Sequence, residues 1–138
     1  MTEIQILLVE DNEGDIVLTQ EALKDGRIKN NISIARDGQE ALEMLGSGAP
    51  LPDLILLDIN LPKMNGLEVL ATIKTDLRLR PIPVIMLSTS DEQNDIMTSY
   101  NNYANCFITK PVDFNRFIDV VRTIEDFWIS IVKLPKKK

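Results

Sequence analysis

Leu54-Ile55-Leu56-Leu57-Asp58 is an unbroken apolar run closed by an aspartate, and its reading decides the fold. A strand with one solvated face alternates apolar and polar residues. A continuous run of this length instead predicts a strand covered on both faces, as in a parallel sheet flanked by helices. Upstream, Ile4–Val9 is a similar run with β-branched residues, cut off by Glu10-Asp11-Asn12. Between the two, Asp15–Lys24 places Ile16, Leu18, Ala22 and Leu23 at helical spacing before Asp25-Gly26 stops it. Ile32–Ala35 reads as a second strand, and Gln39–Leu45 as a helix with Ala41, Leu42 and Leu45 on one face, closed by Gly46-Ser47-Gly48.

Downstream the plan continues. A helix is predicted over about Leu67–Lys74, a strand over Val84–Leu87, a weakly periodic helix over Glu92–Asn101, a strand over Cys106–Ile108 and a long last helix over Phe114–Val132. Five β–α units without a Pro/Gly-rich linker predict one α/β domain. Its architecture is a doubly wound (βα)5 plan, a parallel five-stranded sheet with helices on both faces and right-handed crossovers. The domain is expected to occupy residues 1–132, and 133–138 to form a basic tail.

The 138 residues include one cysteine and no histidine. The missing histidine excludes Ser-His and Cys-His catalytic pairs, histidine-ligated zinc and a phosphohistidine on this chain. Cys106 alone makes neither an intramolecular disulfide nor a multi-cysteine metal site, in keeping with a reducing cytoplasm. Hydrophobic residues at 44% and charged residues at 26% describe a folded globule, not a disordered chain. Four of the fifteen basic residues, Lys133, Lys136, Lys137 and Lys138, lie at the end, and no acidic residue follows Asp126. The body is therefore more acidic than the net charge of −6, which argues against nucleic acid as a partner. The start has no basic segment ahead of an apolar run, and no stretch approaches the ~20 apolar residues that span a bilayer. No membrane association and a cytoplasmic location are the expectations.

In open parallel sheets the binding crevice lies outside the carboxyl ends of the strands. Here those ends are Glu10-Asp11, Asp58, Ser88-Thr89 and Lys110. Three carboxylates gathered in a crevice repel one another and need a positive charge to stay ionised together. A hard divalent cation with oxygen ligands meets that need, which points to Mg2+. With Lys110 as a second positive charge and Ser88 or Thr89 as a hydroxyl donor, the set suits phosphoryl transfer to Asp58 as nucleophile. Each element also has an ordinary reading: Glu10-Asp11 as a loop or cap, Asp58 as a turn residue, Lys110 as a surface charge, and Ser88-Thr89-Ser90 as the cap of the next helix. Their convergence from four strand ends is what favours chemistry. There is no G-x-x-x-x-G-K-[ST] or G-x-G-x-x-G loop, and Ile16 stands where a calcium loop beginning at Asp11 needs glycine.

From about Ile4 to Ile131 the chain resembles the response-regulator receiver domain of two-component signalling. The motifs are Ile6-Leu7-Leu8-Val9-Glu10-Asp11-Asn12, Ala35-Arg36-Asp37-Gly38-Gln39-Glu40-Ala41-Leu42, Asp53 through Asp58, Leu61-Pro62-Lys63-Met64-Asn65-Gly66 and Lys110-Pro111. Leu87-Ser88-Thr89-Ser90, Tyr100, Ala104-Asn105-Cys106, Phe127-Trp128 and Leu134-Pro135 are similar to the small stand-alone regulators that serve bacterial phytochromes. The resemblance implies a flavodoxin-like receiver fold with strand order 2-1-3-4-5, Asp58 as phosphoacceptor, and Glu10, Asp11 and Asp58 around Mg2+, with the backbone carbonyl of Asn60 added. It also implies Ser88 as switch hydroxyl followed by Thr89, Lys110 on the phosphoryl group with a cis bond to Pro111, and Phe107 at the switch aromatic position, where a plain core role is the alternative. Two departures stand out. Tyr103 replaces a glycine usual before the fifth strand, and Trp128 lies in the last helix instead of near the site.

The implied function is acceptance of a phosphoryl group on Asp58 from a sensor histidine kinase, with output to a downstream protein the sequence does not name. No helix-turn-helix or second catalytic domain is read after the fifth unit. Apolar residues Phe127, Ile129 and Leu134 around Trp128 predict a homodimer or kinase contact on the last helix. Two rivals remain: a Mg2+-dependent phosphatase with an aspartyl-phosphate intermediate, and an interaction module that is never phosphorylated. Asn60 stands where such phosphatases carry a second carboxylate, which disfavours turnover.

Overall fold

The computed structural model describes residues 3–26, 28–88, 106–109, 118–119 and 121–126. The elements in chain order are β1 (Ile4–Val9), α1 (Glu13–Lys24), β2 (Asn30–Ala35), α2 (Gly38–Leu45), β3 (Leu54–Asp58), α3 (Gly66–Thr75), β4 (Val84–Ser88) and β5 (Cys106–Thr109). Residues 118–119 and 121–126 are helical. The described strands form a five-stranded sheet of order β2-β1-β3-β4-β5, and each neighbouring pair is parallel. The predicted fold class and strand order therefore hold.

The β3 run is buried at every position, and its side chains divide between two cores by simple alternation. Ile55 and Leu57 join Val9, Val84 and Met86 beneath Leu45 of α2 and Leu70 and Ile73 of α3. Leu54 and Leu56 join Ile6, Leu8 and Ile85 beneath Ile16 and Leu23 of α1 and Val121 and Ile124 of the last helical segment. Each large aliphatic side chain buried in this way contributes about 2 kcal/mol from removal of apolar surface from water. The edge strand β2 alternates partly buried and exposed residues instead. It starts at Asn30, earlier than the predicted Ile32, because Asn30 and Asn31 pair with Ile4 and Gln5 of β1. The Asn30 side-chain amide also donates to the carbonyls of Leu23 and Ile28.

The helices start at residues that side-chain oxygens can cap. The Asn12 side chain accepts from Asp15 N at 2.9 Å, so α1 begins at Glu13, two residues before the predicted Asp15. Asp37 caps α2 through Glu40 N at 2.7 Å. Asn65 and Glu68 cap α3 reciprocally, at 3.0 Å and 3.2 Å. All three caps follow the carboxyl ends of strands, so the rim that carries the site is also where the helices are anchored. The predicted helix over Glu92–Asn101, Tyr103, and the Phe127-Trp128 and Ile129 end of the last helix lie outside the described residues.

Candidate functional site

Glu10 and Asp11 directly follow β1. Glu10 N donates to Ala35 O at 2.9 Å, extending the ladder with β2 by one residue, and this holds Glu10 inside the rim at 2% exposure. Its carboxylate accepts from Asn12 N at 3.2 Å. Asp11, next in the chain, is exposed. Asp58 is the last residue of β3 and is 5% exposed; its Oδ1 accepts from Asn60 N at 3.1 Å.

Register makes these residues meet. Val9 pairs with Leu57, so the two strands end side by side and their acidic residues follow on the same edge. One carboxylate oxygen each from Glu10, Asp11 and Asp58 lies within 4.8 Å of the other two. Two unit negative charges at such a separation repel by about 3 kcal/mol where the effective dielectric constant is ~20. A divalent cation among them reverses the sign of that energy. The donors are all carboxylate oxygens, with no imidazole or thiolate, which fits a hard cation better than zinc or copper.

The loop after β3 is held closely against this cluster. Ile59 N donates to Leu87 O at 3.3 Å, and Ile59 O accepts from Leu61 N at 3.1 Å and Gly66 N at 2.8 Å. A Cβ at Gly66 would collide with the Asp58 carbonyl oxygen and lie 2.7 Å from Ile59 Cα. The first residue of α3 is therefore glycine because the backbone of the phosphoacceptor candidate passes directly over it. Gly66 and the capping Asn12 are site-supporting residues that the sequence reading placed in motifs without giving either a role. The signals were present in Asn12-x-x-Asp15 and Asn65-x-x-Glu68.

The structure thus brings Glu10, Asp11 and Asp58 together and places Asn60 against Asp58. The Ser88 backbone ends β4, paired with Thr109 of β5, and Phe107 pairs with Met86, so both strands run toward the same rim. The side chains of Ser88 and Phe107, and the whole of Thr89, Lys110 and the Lys110–Pro111 bond, lie outside the described residues.

The response regulator receiver domain profile matches residues 6–122. Response regulator Rcp1 of Synechocystis sp. is 44% identical over 135 residues, covering 94% of this chain and 92% of Rcp1. Among solved structures, the phosphorylated cyanobacterial phytochrome response regulator RcpA superposes with a TM-score of 0.88 at 46% identity, covering 94% of this chain and 96% of RcpA. The Mn2+-bound form of Rcp1 superposes with a TM-score of 0.87 at 43% identity, covering 96% and 99%.

Proposed function

This chain belongs to the response regulator receiver domain family, and from that premise we propose that it accepts a phosphoryl group on Asp58 from the phosphohistidine of a sensor histidine kinase. The observation that carries the reading is the meeting of three carboxylates at the ends of β1 and β3, with Asp58 held by the backbone amide of Asn60. Similarity to phytochrome response regulators points to a phytochrome-type sensor as the donor. These 138 residues include no histidine, so the phosphohistidine donor lies outside them.

Glu10, Asp11, Asp58 and the backbone carbonyl of Asn60 would hold the cation, which we take to be Mg2+; when bound it neutralises charge on the phosphoryl oxygens. The Asn60 amide on Asp58 Oδ1 orients the carboxylate for attack. Attack forms an Asp58 O–P bond and breaks the P–N bond of the donor, whose other ring nitrogen carries a proton, so that a neutral imidazole returns to the kinase. Lys110 supplies a positive charge to the phosphoryl oxygens, and Ser88 and Thr89 supply hydroxyl donors. The product adds a charge of about −2 to the rim. Ser88 and Lys110 move toward that charge, and Phe107 responds at the next position of the sheet edge. The resulting surface change is read by a downstream protein. Residues 1–132 act as the receiver domain and 133–138 as a basic tail, with a homodimer or kinase contact on the last helix. Among the described residues, no helix is long and apolar enough to cross a membrane, and a cytoplasmic location agrees with that.

Incubation with acetyl phosphate and Mg2+, followed by intact mass measurement, tests the reading. One phosphoryl adduct that requires the cation and disappears in Asp58→Asn is the expected result. Absence of any adduct would leave an interaction module, and repeated turnover of phosphomonoesters would make the protein a phosphatase.

A further inference from the structure

Between Asp58 and α3 the chain makes a turn that its own residue type disfavours. Met64 N donates to Pro62 O at 2.7 Å, closing a three-residue turn around Lys63, whose φ is 68°. Among the described residues, Lys63 is the only non-glycine residue at positive φ. Three-residue turns of this hand are rare and strained, and such strain persists only where the surroundings enforce it.

The surroundings here are the first residues of α2. A Cβ at Gly38 would collide with the Met64 carbonyl oxygen, and would lie 2.7 Å from Val69 Cγ2 and 3.0 Å from Met64 Cβ. Glycine is a poor helix former compared with alanine, so its presence at the start of α2 answers to this approach and not to the helix. Asp37, one residue earlier, divides its carboxylate. Oδ1 accepts from Glu40 N at 2.7 Å and caps α2, while Oδ2 lies 3.6 Å from Lys63 Nζ. The helix start therefore holds the strained turn by steric fit on one side and by charge on the other.

The turn leads back to the site within five residues. Pro62 and Leu61 connect Lys63 to Asn60, whose amide holds Asp58, and Ile59 O is fixed from both sides by Leu61 N and Gly66 N. We propose that Asp37 and Gly38 are positioning residues for the cation site. By clamping the Lys63–Met64 turn they keep Asn60 and Asp58 in the arrangement that Glu10 and Asp11 complete. The inference rests on reading those carboxylates as a cation site.

The test is titration of Mn2+ into the full chain, with free Mn2+ followed by electron paramagnetic resonance and folding checked by circular dichroism. Gly38→Ala should bind Mn2+ about tenfold more weakly, the low end of what supporting residues around metal ligands are worth. Asp37→Asn retains a good helix cap and removes only the charge facing Lys63. It should weaken binding about threefold, a smaller effect of the same kind, with unchanged helicity. Gly46→Ala serves as control: it lies at the other end of α2, where a Cβ would meet Leu42 O at 3.4 Å and Glu43 O at 3.9 Å, both ordinary contacts, and it should bind as wild type does. Wild-type affinity in folded Gly38→Ala overturns the proposal. If that variant does not fold, wild-type affinity in Asp37→Asn overturns it. Failure of the wild type itself to bind Mn2+ removes the cation-site reading, and this inference with it.

Discussion

Glu10 and Asp58 at one end of the sheet and Lys74 at the other are all buried ionisable groups, yet they are buried in different ways. Lys74, in the last turn of α3, donates to the carbonyl oxygens of Arg80 at 3.0 Å and Ile82 at 2.6 Å, in the segment that leads into β4. Its amine serves the backbone of the next few residues and has no neighbour of its own sign within that contact set. The carboxylates at the carboxyl end are each hydrogen-bonded to a local amide, but they also face one another and Asp11. Charge used on nearby backbone is architecture. Like charges brought together by strand register form a group that a bound cation would stabilise. The difference between the two ends is thus one of sign and company, not of burial.

The largest effect that should separate the two ends, after loss of the phosphoryl adduct in Asp58→Asn, comes from Gly66→Ala. The new methyl group meets the Asp58 carbonyl and Ile59 Cα, which are backbone and cannot rotate away. A loss of about 3 kcal/mol is expected, the upper part of the range for overpacking, read as a lower urea midpoint at unchanged m-value. Because the displaced atoms belong to Asp58 and Ile59, acetyl phosphate labelling should slow as well. A variant that is destabilised yet labels at the wild-type rate would mean that the β3 end tolerates displacement, and would weaken the contrast drawn above.

How far this end was legible in advance follows from the range of the interactions involved. The β1 limits, Ile4 and Val9, and the double burial of β3 are written in local apolar pattern. Once β1 and β3 are parallel neighbours, the meeting of Glu10, Asp11 and Asp58 follows from their register. The start of β2 was missed because Asn30 and Asn31 are polar residues that an edge strand tolerates. The roles of Gly38 and Gly66 were missed for a different reason. Each is decided by one backbone atom of a distant segment, Met64 O and Asp58 O, and no period in the sequence encodes such an approach.

At the other end, Lys74→Met keeps the length and apolar stem of the side chain and removes the amine. The carbonyls of Arg80 and Ile82 lose this partner, and a cost of about 2 kcal/mol is expected for buried acceptors left without it. Mn2+ affinity should stay at the wild-type value, since Lys74 supports the entry to β4 and not its exit. A pH series sharpens the point. Burial pushes the Lys74 amine below its ordinary pKa of 10.5, so the folded chain releases this proton at lower pH than the unfolded chain. Between the two values the unfolded state binds more protons, and stability rises with pH. The advantage of wild type over Lys74→Met, measured by urea denaturation, should therefore grow as the pH approaches 10.5. A shrinking advantage would mean that the carbonyls hold the charged amine more strongly than burial disfavours it.

The smallest effect belongs to a contact that looks strong by distance. Arg36 Nη1 lies 2.5 Å from Glu13 Oε1, tying the end of β2 to the start of α1 on the same rim as the carboxylate cluster. Both side chains are more than half exposed, at 52% and 68%, so water screens the pair and both lose side-chain freedom in making it. A double-mutant cycle with Arg36→Gln and Glu13→Gln should give a coupling of only ~0.5 kcal/mol, falling further as salt shortens the screening length. Glu13 is also an acidic residue in the first turn of α1, where the helix dipole favours negative charge. Its single substitution should therefore cost more than the coupling. A coupling that stays large at high salt would show that the rim excludes water well beyond Glu10 and Asp58, and the exposed Asp11 would then belong with the buried carboxylates in its electrostatics.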